Sequence, residues 1–177
     1  MIPSSLRKRI AGAAAGGVLL ITSTVVAILE GNQPQPYLDQ GGVPTVCVGH
    51  TGDVDMSRTY SETECKDLLQ QDLSSAFAVL DSAVTVPLPD LTRVALASFI
   101  FNVGGQAFLN STLLRRINRG EGATACAELK RWVYVGHQRV KGLENRREVE
   151  YELCVSGFQA ANDNVPIPLE RPRRDAA

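Results

Sequence analysis

A run of twenty residues without a charged side chain, residues 10–29, constrains this chain more than any other feature. Arg7, Lys8 and Arg9 precede the run, and Glu30 ends it. An uncharged stretch of this length can span a bilayer, and the basic flank favours an amino terminus on the cytoplasmic side. The rest of the chain would then lie outside the inner membrane. Glycine, alanine, serine and threonine fill much of the run, so we expect lipid to hold it only weakly.

The sixteen residues from Glu30 to Thr45 contain two acidic residues in different surroundings. Gly31 and the prolines that follow predict that a helix ends at Glu30, while Thr45 opens a short β-branched run typical of a strand. Glu30 follows two apolar residues, a setting that disfavours its charged form, whereas Asp39 lies among polar residues and glycines. One protonated and one ionised carboxylate are what glycosidic cleavage requires. Taken alone, the pair also fits an ordinary helix-end glutamate and an ordinary turn aspartate.

The wider pattern resembles the phage-type lysozymes, which are grouped as glycoside hydrolase family 24. The matching stretches are the Glu-Gly…Tyr-x-Asp pattern of residues 30–39, Gly-x-x-Thr-x-x-x-Gly-His at 42–50, Phe-Asn-Val-Gly at 101–104, Ser-Thr-Leu-Leu at 111–114, Arg-Trp at 131–132, Gly-Leu at 142–143 and Arg-Arg-Glu at 146–148. The resemblance covers roughly residues 20–157 and is strongest to the membrane-tethered, signal-anchor-release endolysins of that family.

This resemblance implies an α+β, mainly helical fold with two lobes, a small β-hairpin lobe and a helical lobe. It implies hydrolysis of the β-1,4 bond between N-acetylmuramic acid and N-acetylglucosamine in peptidoglycan. Glu30 would be the catalytic acid, Asp39 the partner carboxylate, and Thr45 would help to hold the attacking water. We expect these carboxylates to lie roughly 6.5–9.5 Å apart, the separation that accompanies inversion at the anomeric carbon.

Four further residues are candidates for contacts with substrate: Tyr37, His50, Asn102 and Arg146. His50 also fits a structural histidine that fixes the hairpin, and Asn102 fits a satisfied buried amide equally well. Of Arg146 and Arg147, we expect one to reach the cleft and hold Glu30 in place, and the other to be solvated. No cofactor is expected, and no metal, because two histidines are too few ligands for a zinc site.

Three interpretations of the amino-terminal run remain open: a permanent anchor, a cleaved signal peptide, and an anchor that later leaves the membrane. A cut after Ala27 would remove the helix expected to position Glu30. The resemblance favours release, in which residues 21–29 refold as a helix against the larger lobe and present Glu30. We therefore expect a releasable segment at 1–29, a catalytic domain at 30–157 and a disordered tail at 158–177.

The remaining pattern predicts helices over residues 61–83, 91–103, 111–119, 123–135 and 143–155, and a small hairpin sheet within residues 46–59. Ser61 and Glu64 form a capping box at the start of the first of these helices. The apolar helix 91–103 is expected at the centre of the core. Trp132 and Tyr134 could stack on sugars, but lone aromatics in a helical stripe are more often core residues.

Four cysteines allow three pairings if both bonds form. All four lie beyond the uncharged run, and hence in an oxidising periplasm where disulfides persist. We favour Cys126–Cys154, which would join two helices of the larger lobe, and Cys47–Cys65, which would join the hairpin to a helix. Four buried thiols are the alternative.

The chain has 18 Lys and Arg against 19 Asp and Glu, so its net charge does not argue for nucleic acid as a partner. The expected partners are peptidoglycan strands and, before release, the inner membrane. After release we expect a soluble periplasmic monomer that lyses the host cell. Two alternatives are a resident muramidase that remodels the wall for a secretion or flagellar apparatus, and a membrane-anchored protein that binds glycan without cutting it.

Overall fold

Helices dominate residues 4–13, 16–39 and 41–163, which are the residues that the computed structural model describes. The elements in chain order are α1 Ser4–Ala13, α2 Gly17–Glu30, β1 Gln33–Leu38, β2 Pro44–Cys47, α3 Glu62–Ala83, α4 Asp90–Val103, α5 Gly105–Leu109, α6 Thr112–Asn118, the 3-10 helix Gly122–Arg131, β3 Tyr134–Val135, β4 Gln138–Arg139 and α7 Lys141–Asp163. The predicted mainly helical α+β class is confirmed.

Helix α4 is the centre of the core, as its apolar sequence predicts. Residues 94–100 of this helix are all buried, and α2, α3 and α7 pack around it. The Phe99 ring makes edge-to-face contacts with Phe108, at 6.5 Å between centroids, and with Trp132, at 5.2 Å. Trp132 is therefore part of the core.

The amino-terminal segment forms two helices that pack on the core. Helix α2 buries Ile21, Thr22, Val25 and Val26. The side chains of Ile21 and Val25 join the main cluster around α4, and Val26 packs with Leu69 and Leu73 of α3. Helix α1 contributes Leu6 and Ala13 to the main cluster. None of the helices in the described part of the chain combines the length and apolar character needed to cross a membrane. Residues 1–3 and 14–15 of the predicted 1–29 segment lie outside the described residues.

The small lobe, residues 31–60, contains an antiparallel hairpin that begins earlier than the sequence predicts. Strands β1 and β2 pair Gln33 with Cys47, Tyr37 with Thr45 and Leu38 with Pro44. The hairpin was predicted within residues 46–59, and the prolines at 34 and 36 were interpreted only as marking the end of the preceding helix. An edge strand tolerates them, since the missing N–H groups need not face a partner. Asp39 consequently lies in the turn of the hairpin itself.

Both favoured disulfides are present and connect neighbouring elements. Cys47–Cys65 joins the end of β2 to α3, and Cys126–Cys154 joins the 3-10 helix to α7. Cys47 has a φ of 57°, a left-handed conformation that favours glycine and ends the strand. Ser61 and Glu64 form the predicted capping box at the start of α3.

The region between α6 and α7 differs from the predicted helix 123–135. The 3-10 helix ends at Arg131, and a two-stranded ribbon follows that pairs Tyr134 with Arg139 and Val135 with Gln138. The β-branched residues at 133 and 135 favour extended backbone, and Gly136 supplies the positive φ of the turn. Tyr134 is 58% exposed, so its expected place in the core was wrong.

Helix α7 continues to Asp163, beyond its predicted end at Gly157. A Cβ on Gly157 would lie 2.5 Å from Thr92 Oγ1 and 2.7 Å from Thr92 N, so this glycine permits close packing of α7 on α4. Thr92 Oγ1 donates a hydrogen bond to the Cys154 carbonyl at 3.0 Å across the same contact. The prediction that the disordered tail begins at residue 158 was wrong, because α7 continues to Asp163 and Phe158 packs on the main core cluster. Residues 164–177 of the predicted tail lie outside the described residues.

Candidate active site

Glu30 is the last residue of α2, and its position is set by the burial of that helix. Val25 and Val26 lie one turn earlier and are fully buried. Gly31 ends the helix with a φ of 77°, and its N–H donates to the Ala27 carbonyl at 3.1 Å. Only Gly31 and Asn32 separate Glu30 from β1. The core therefore fixes the helix that carries this carboxylate, and two residues connect it to the hairpin.

The Asp39 carboxylate is oriented by the backbone of its own turn. Its Oδ1 accepts hydrogen bonds from the N–H groups of Gly41 and Val43, both at 2.8 Å. The Asp39 N–H donates to the Val43 carbonyl at 3.0 Å. The turn thus fixes one oxygen of this carboxylate through two backbone donors.

Thr45 lies on β2 opposite Tyr37 and is almost fully buried. Its hydroxyl donates to the Val43 carbonyl at 2.9 Å. A hydroxyl has a single hydrogen to donate, so its remaining capacity is to accept. Asp39 and Thr45 are therefore brought to the same end of one hairpin and share Val43 as a hydrogen-bond partner.

Arg146 connects Glu30 to the core. Its Nη1 donates to Glu30 Oε1, and 28% of the Glu30 side chain remains exposed. Its other donors bind the interior: Nε donates to Glu150 Oε1 at 3.1 Å, and Nη2 donates to the Ser98 carbonyl at 3.1 Å. The expectation that one of the two arginines contacts Glu30 agrees with this geometry. The expected apolar surroundings of Glu30 were wrong, because a cation lies against its carboxylate.

Arg147 is 1% exposed, which contradicts the prediction that the second arginine would be solvated. Its Nη2 donates to Asn102 Oδ1 at 2.6 Å, its Nε lies 2.9 Å from Glu150 Oε2, and its guanidinium lies 5.0 Å from the centre of the Phe99 ring. Burial lowers the pKa of the Arg147 guanidinium. Asn102 therefore uses its amide oxygen to bind this arginine, as a satisfied amide would.

Glu150 was not identified from the sequence, although it is fully buried between both arginines. Ser98, from α4, donates its hydroxyl to Glu150 Oε1 at 2.8 Å. Burial raises the pKa of the Glu150 carboxyl, while the neighbouring arginines and the Ser98 hydroxyl act in the opposite direction. The spacing of Arg146 and Glu150, four residues apart on a helix, was the available signal.

His50 links the small lobe to α3. Its Nδ1 lies 2.9 Å from Asp72 Oδ2, and its Nε2 lies 2.6 Å from the Gly52 carbonyl. Both ring nitrogens thus face protein oxygens, an arrangement that suits a structural histidine.

A depression of about 260 Å³ lies beside His50, between the small lobe and the helices. It is lined by Gly49 and Thr51 of the small lobe, Asp72 and Ala76 of α3 and Phe101 of α4.

Tyr37 is an exposed aromatic residue on β1, outside the lining of this depression. Within the described residues, no group of three or more His, Cys, Asp or Glu side chains is placed to hold a metal ion.

Comparison with known sequences matches the family described as phage lysozyme to residues 27–150. The chain is 44% identical over 165 residues to the SAR-endolysin of Enterobacteria phage P21, which covers 89% of this chain and all of that protein. It is 45% identical over 155 residues to the SAR-endolysin of Escherichia phage Mu, covering 87% of this chain and 89% of the relative.

Two solved structures of phage lysozymes also superpose on this chain. P22 lysozyme superposes with a TM-score of 0.68 at 33% identity, covering 76% of this chain and 94% of that one. The active form of the P1 phage endolysin Lyz superposes with a TM-score of 0.73 over 87% of this chain and 93% of that one. Its identity is 20%, so it supports the fold alone.

Proposed function

The chain belongs to the phage lysozyme family, and on this premise we propose that it is a phage endolysin that hydrolyses the β-1,4 bond between N-acetylmuramic acid and N-acetylglucosamine in peptidoglycan. The observation that carries the proposal is the arrangement of Glu30, Asp39 and Thr45. The first lies at the end of a buried helix against Arg146, and the other two lie on the hairpin that follows after two residues.

In this mechanism Glu30 is the general acid. It donates its proton to the glycosidic oxygen as the bond to the leaving sugar breaks, and its carboxylate then becomes negative. The Arg146 guanidinium, already in contact with Oε1, stabilises the charge that develops. Because Arg146 is also bound to Glu150 and Ser98, it needs little reorganisation at that moment.

Asp39 and Thr45 hold the attacking water. Backbone N–H groups bind Oδ1 of Asp39, and the Thr45 hydroxyl donates its hydrogen to the Val43 carbonyl. Both groups can therefore accept hydrogen bonds from one water, which keeps a lone pair of that water free to attack the anomeric carbon. As the water attacks from the face opposite the leaving group, its proton passes to the Asp39 carboxylate, the new C–O bond forms as the bond to the leaving sugar breaks, and the configuration inverts. An NMR assay that found the initial product with retained configuration would contradict this step.

The proposed biological role is lysis of the host cell. The relatives in phages P21 and Mu are named SAR-endolysins, which supports lysis over resident wall remodelling. The presence of all three candidate catalytic residues argues against a protein that only binds glycan. Of the four candidates for sugar contact, Tyr37 is the one proposed here, because its ring is exposed on β1, whereas His50 and Asn102 are bound to other protein groups.

Before activity, residues 10–29 would span the inner membrane with the catalytic residues on the periplasmic side. The same side chains that would face lipid, Ile21, Val25 and Val26, are buried by protein in the folded structure. Protein therefore replaces lipid around these side chains on release, so leaving the membrane does not expose them to water, and a poorly apolar span loses little by leaving. In the tethered form, Glu30 would lie at the membrane interface, away from the hairpin, so that form would be inactive.

The membrane potential would oppose release. Three charges, on Arg7, Lys8 and Arg9, must cross against an inside-negative potential at about 2.3 kcal/mol per charge per 100 mV, or roughly 7 kcal/mol. Collapse of the potential across vesicles that contain the protein should therefore speed its release. Release at the same rate at every imposed voltage would contradict this part of the proposal.

The activity is tested with Glu30→Gln and a matched control, Glu121→Gln. Glu121 also pairs with an arginine and is also 28% exposed, but it lies between α6 and the 3-10 helix. Loss of general acid catalysis should lower turbidity clearance of permeabilised Gram-negative cells by about 10²–10⁴-fold in the first variant only. Full activity of Glu30→Gln would remove Glu30 from the mechanism.

A further inference from the structure

The two catalytic carboxylates leave one buried acid without a role. Glu150 on α7 has no exposed surface, and its carboxylate contacts three groups. Oε1 accepts from Arg146 Nε at 3.1 Å and from the Ser98 hydroxyl at 2.8 Å, and Oε2 lies 2.9 Å from Arg147 Nε. A fully buried carboxylate is costly unless it is paired, so its retention beside the active site calls for a reason.

We propose that Glu150 is a positioning residue for the hydrolysis, acting on Glu30 through Arg146. The inference rests on the proposed role of Glu30 as the catalytic acid. Glu150 itself does not touch substrate; it fixes the direction in which the Arg146 guanidinium presents Nη1.

The geometry of Arg146 supports this role. A free arginine side chain has considerable rotamer freedom, but its guanidinium is a rigid planar fork. Binding Nε to Glu150 and Nη2 to the Ser98 carbonyl fixes the plane and rotation of that fork. The two N–H groups of Nη1 then point in fixed directions, and Glu30 Oε1 accepts a hydrogen bond from this nitrogen.

The elements that supply these contacts are independent of the amino-terminal segment. Ser98 belongs to α4 and Glu150 to α7, whereas Glu30 belongs to α2. Arg146 can therefore be oriented before α2 packs, as a preformed site for the carboxylate that arrives at the end of that helix. Preorganisation of this kind reduces what must be ordered when the last member arrives.

The charges of Arg146, Arg147 and Glu150 also support the positioning role of Glu150. Arg146 and Arg147 are two buried cations, and Glu150 supplies one negative charge. The trio therefore carries a net positive charge, which favours the negative charge that Glu30 develops as it gives up its proton. Arg147 also holds the second oxygen of Glu150 and packs over the Phe99 ring, which limits rotation of the Glu150 carboxylate.

The test is a double-mutant cycle in kcat with Glu150→Gln and Arg146→Met in the full chain, measured on soluble peptidoglycan fragments. Glu150→Gln should lower kcat by about 10- to 100-fold with KM changed less than about twofold, because a small misplacement at the reacting centre has effects of this size. In the Arg146→Met background the same substitution should have no further effect on kcat, since Glu150 acts only through Arg146.

The matched control is Glu128→Gln. Glu128 is also a poorly exposed carboxylate bound by two arginines, Arg116 and Arg131, but it lies on the 3-10 helix. The Glu128→Gln substitution should change the denaturation midpoint and leave kcat unchanged. If Glu150→Gln does not fold, Ser98→Ala replaces it in the cycle, because Ser98 contacts both Glu150 and Arg146 and its removal leaves no buried charge unpaired.

Equal effects of Glu150→Gln, or of its Ser98→Ala substitute, in the native and Arg146→Met backgrounds would overturn the inference. So would a kcat no different from that of Glu128→Gln. If either result is found and Glu30→Gln is inactive, the role of Glu150 is wrong but the proposed hydrolysis with Glu30 as the acid stands. If Glu30→Gln is active, the proposed mechanism of hydrolysis is itself wrong.

Discussion

Removal of the Cys126–Cys154 bond tests how much the folded state depends on an oxidising compartment. The bond connects the 3-10 helix to α7, and both sulfur-bearing residues are fully buried. Neither cysteine contacts Glu30, Asp39 or Thr45. The substitution pair Cys126→Ala and Cys154→Ala should therefore act on stability and leave the chemistry intact.

The magnitude follows from the length of chain that the bond closes. The sequence separation of 28 between Cys126 and Cys154 corresponds to a loss of unfolded-state entropy equivalent to about 3.6 kcal/mol, and the separation of 18 between Cys47 and Cys65 corresponds to about 3.2 kcal/mol. Domains of this size are stable by about 5–15 kcal/mol in total. Together the two bonds thus account for a large part of the stability, and the reduced chain should be close to unfolding.

Guanidinium unfolding monitored by circular dichroism measures this effect. Loss of Cys126–Cys154 should lower the midpoint by roughly 1 M, given the denaturant dependence of domains of this size. The control pair, Cys47→Gly with Cys65→Ala, should lower the midpoint similarly and also reduce kcat, because Cys47 is two residues from Thr45; glycine suits its positive φ. A midpoint that does not move when Cys126 and Cys154 are replaced would refute the reasoning.

Three further predictions follow from single residues. Tyr37→Ala should raise KM by roughly 2- to 10-fold with little change in unfolding, as loss of an exposed aromatic contact would; unchanged KM in fragment hydrolysis would exclude a sugar contact. Gly157→Ala should destabilise the protein by about 1–3 kcal/mol because its Cβ would collide with Thr92, whereas Gly142→Ala, which meets nothing within 4 Å on the same helix, should not; equal denaturation midpoints would contradict this. The backbone N–H of Ser61, the N-cap of α3, lowers the pKa of the Glu64 carboxyl to about 2, so the ionised carboxylate stabilises the fold fully above pH 4.5 and this stabilisation is lost as pH falls toward 2. The difference in unfolding free energy between the native protein and Glu64→Gln should therefore shrink over that pH range. A difference that stays constant with pH would contradict this role of Glu64.

Features with a local physical cause were predictable from the sequence. The capping box of α3 depends on two residues three positions apart, and the central position of α4 depends on a continuous apolar run. The end of α2 at Glu30 follows from Gly31. The contact between Arg146 and Glu30 was expected in outline, because two adjacent arginines fall near the start of the last predicted helix.

Features that depend on distant packing were not predictable. The prolines of β1 were interpreted only as marking the end of the preceding helix, and only the edge position of that strand makes them acceptable in it. Gly157 was interpreted as a helix end because nothing in the sequence reveals the approach of Thr92. Burial of Arg147 and Glu150 depends on Ser98, Phe99 and Asn102 from a different helix, which places them beyond any local pattern.

The central claim is that Glu30 becomes competent only when α2 packs on the core. Hydrogen exchange at the amides of α4, against which α2 packs, reports that packing, and peptidoglycan hydrolysis can be followed on the same vesicle-tethered and released samples. The account predicts that peptidoglycan hydrolysis and slow hydrogen exchange at these amides appear together upon release, and that the tethered protein is inactive. Tethered protein that hydrolyses peptidoglycan at the full rate would contradict it.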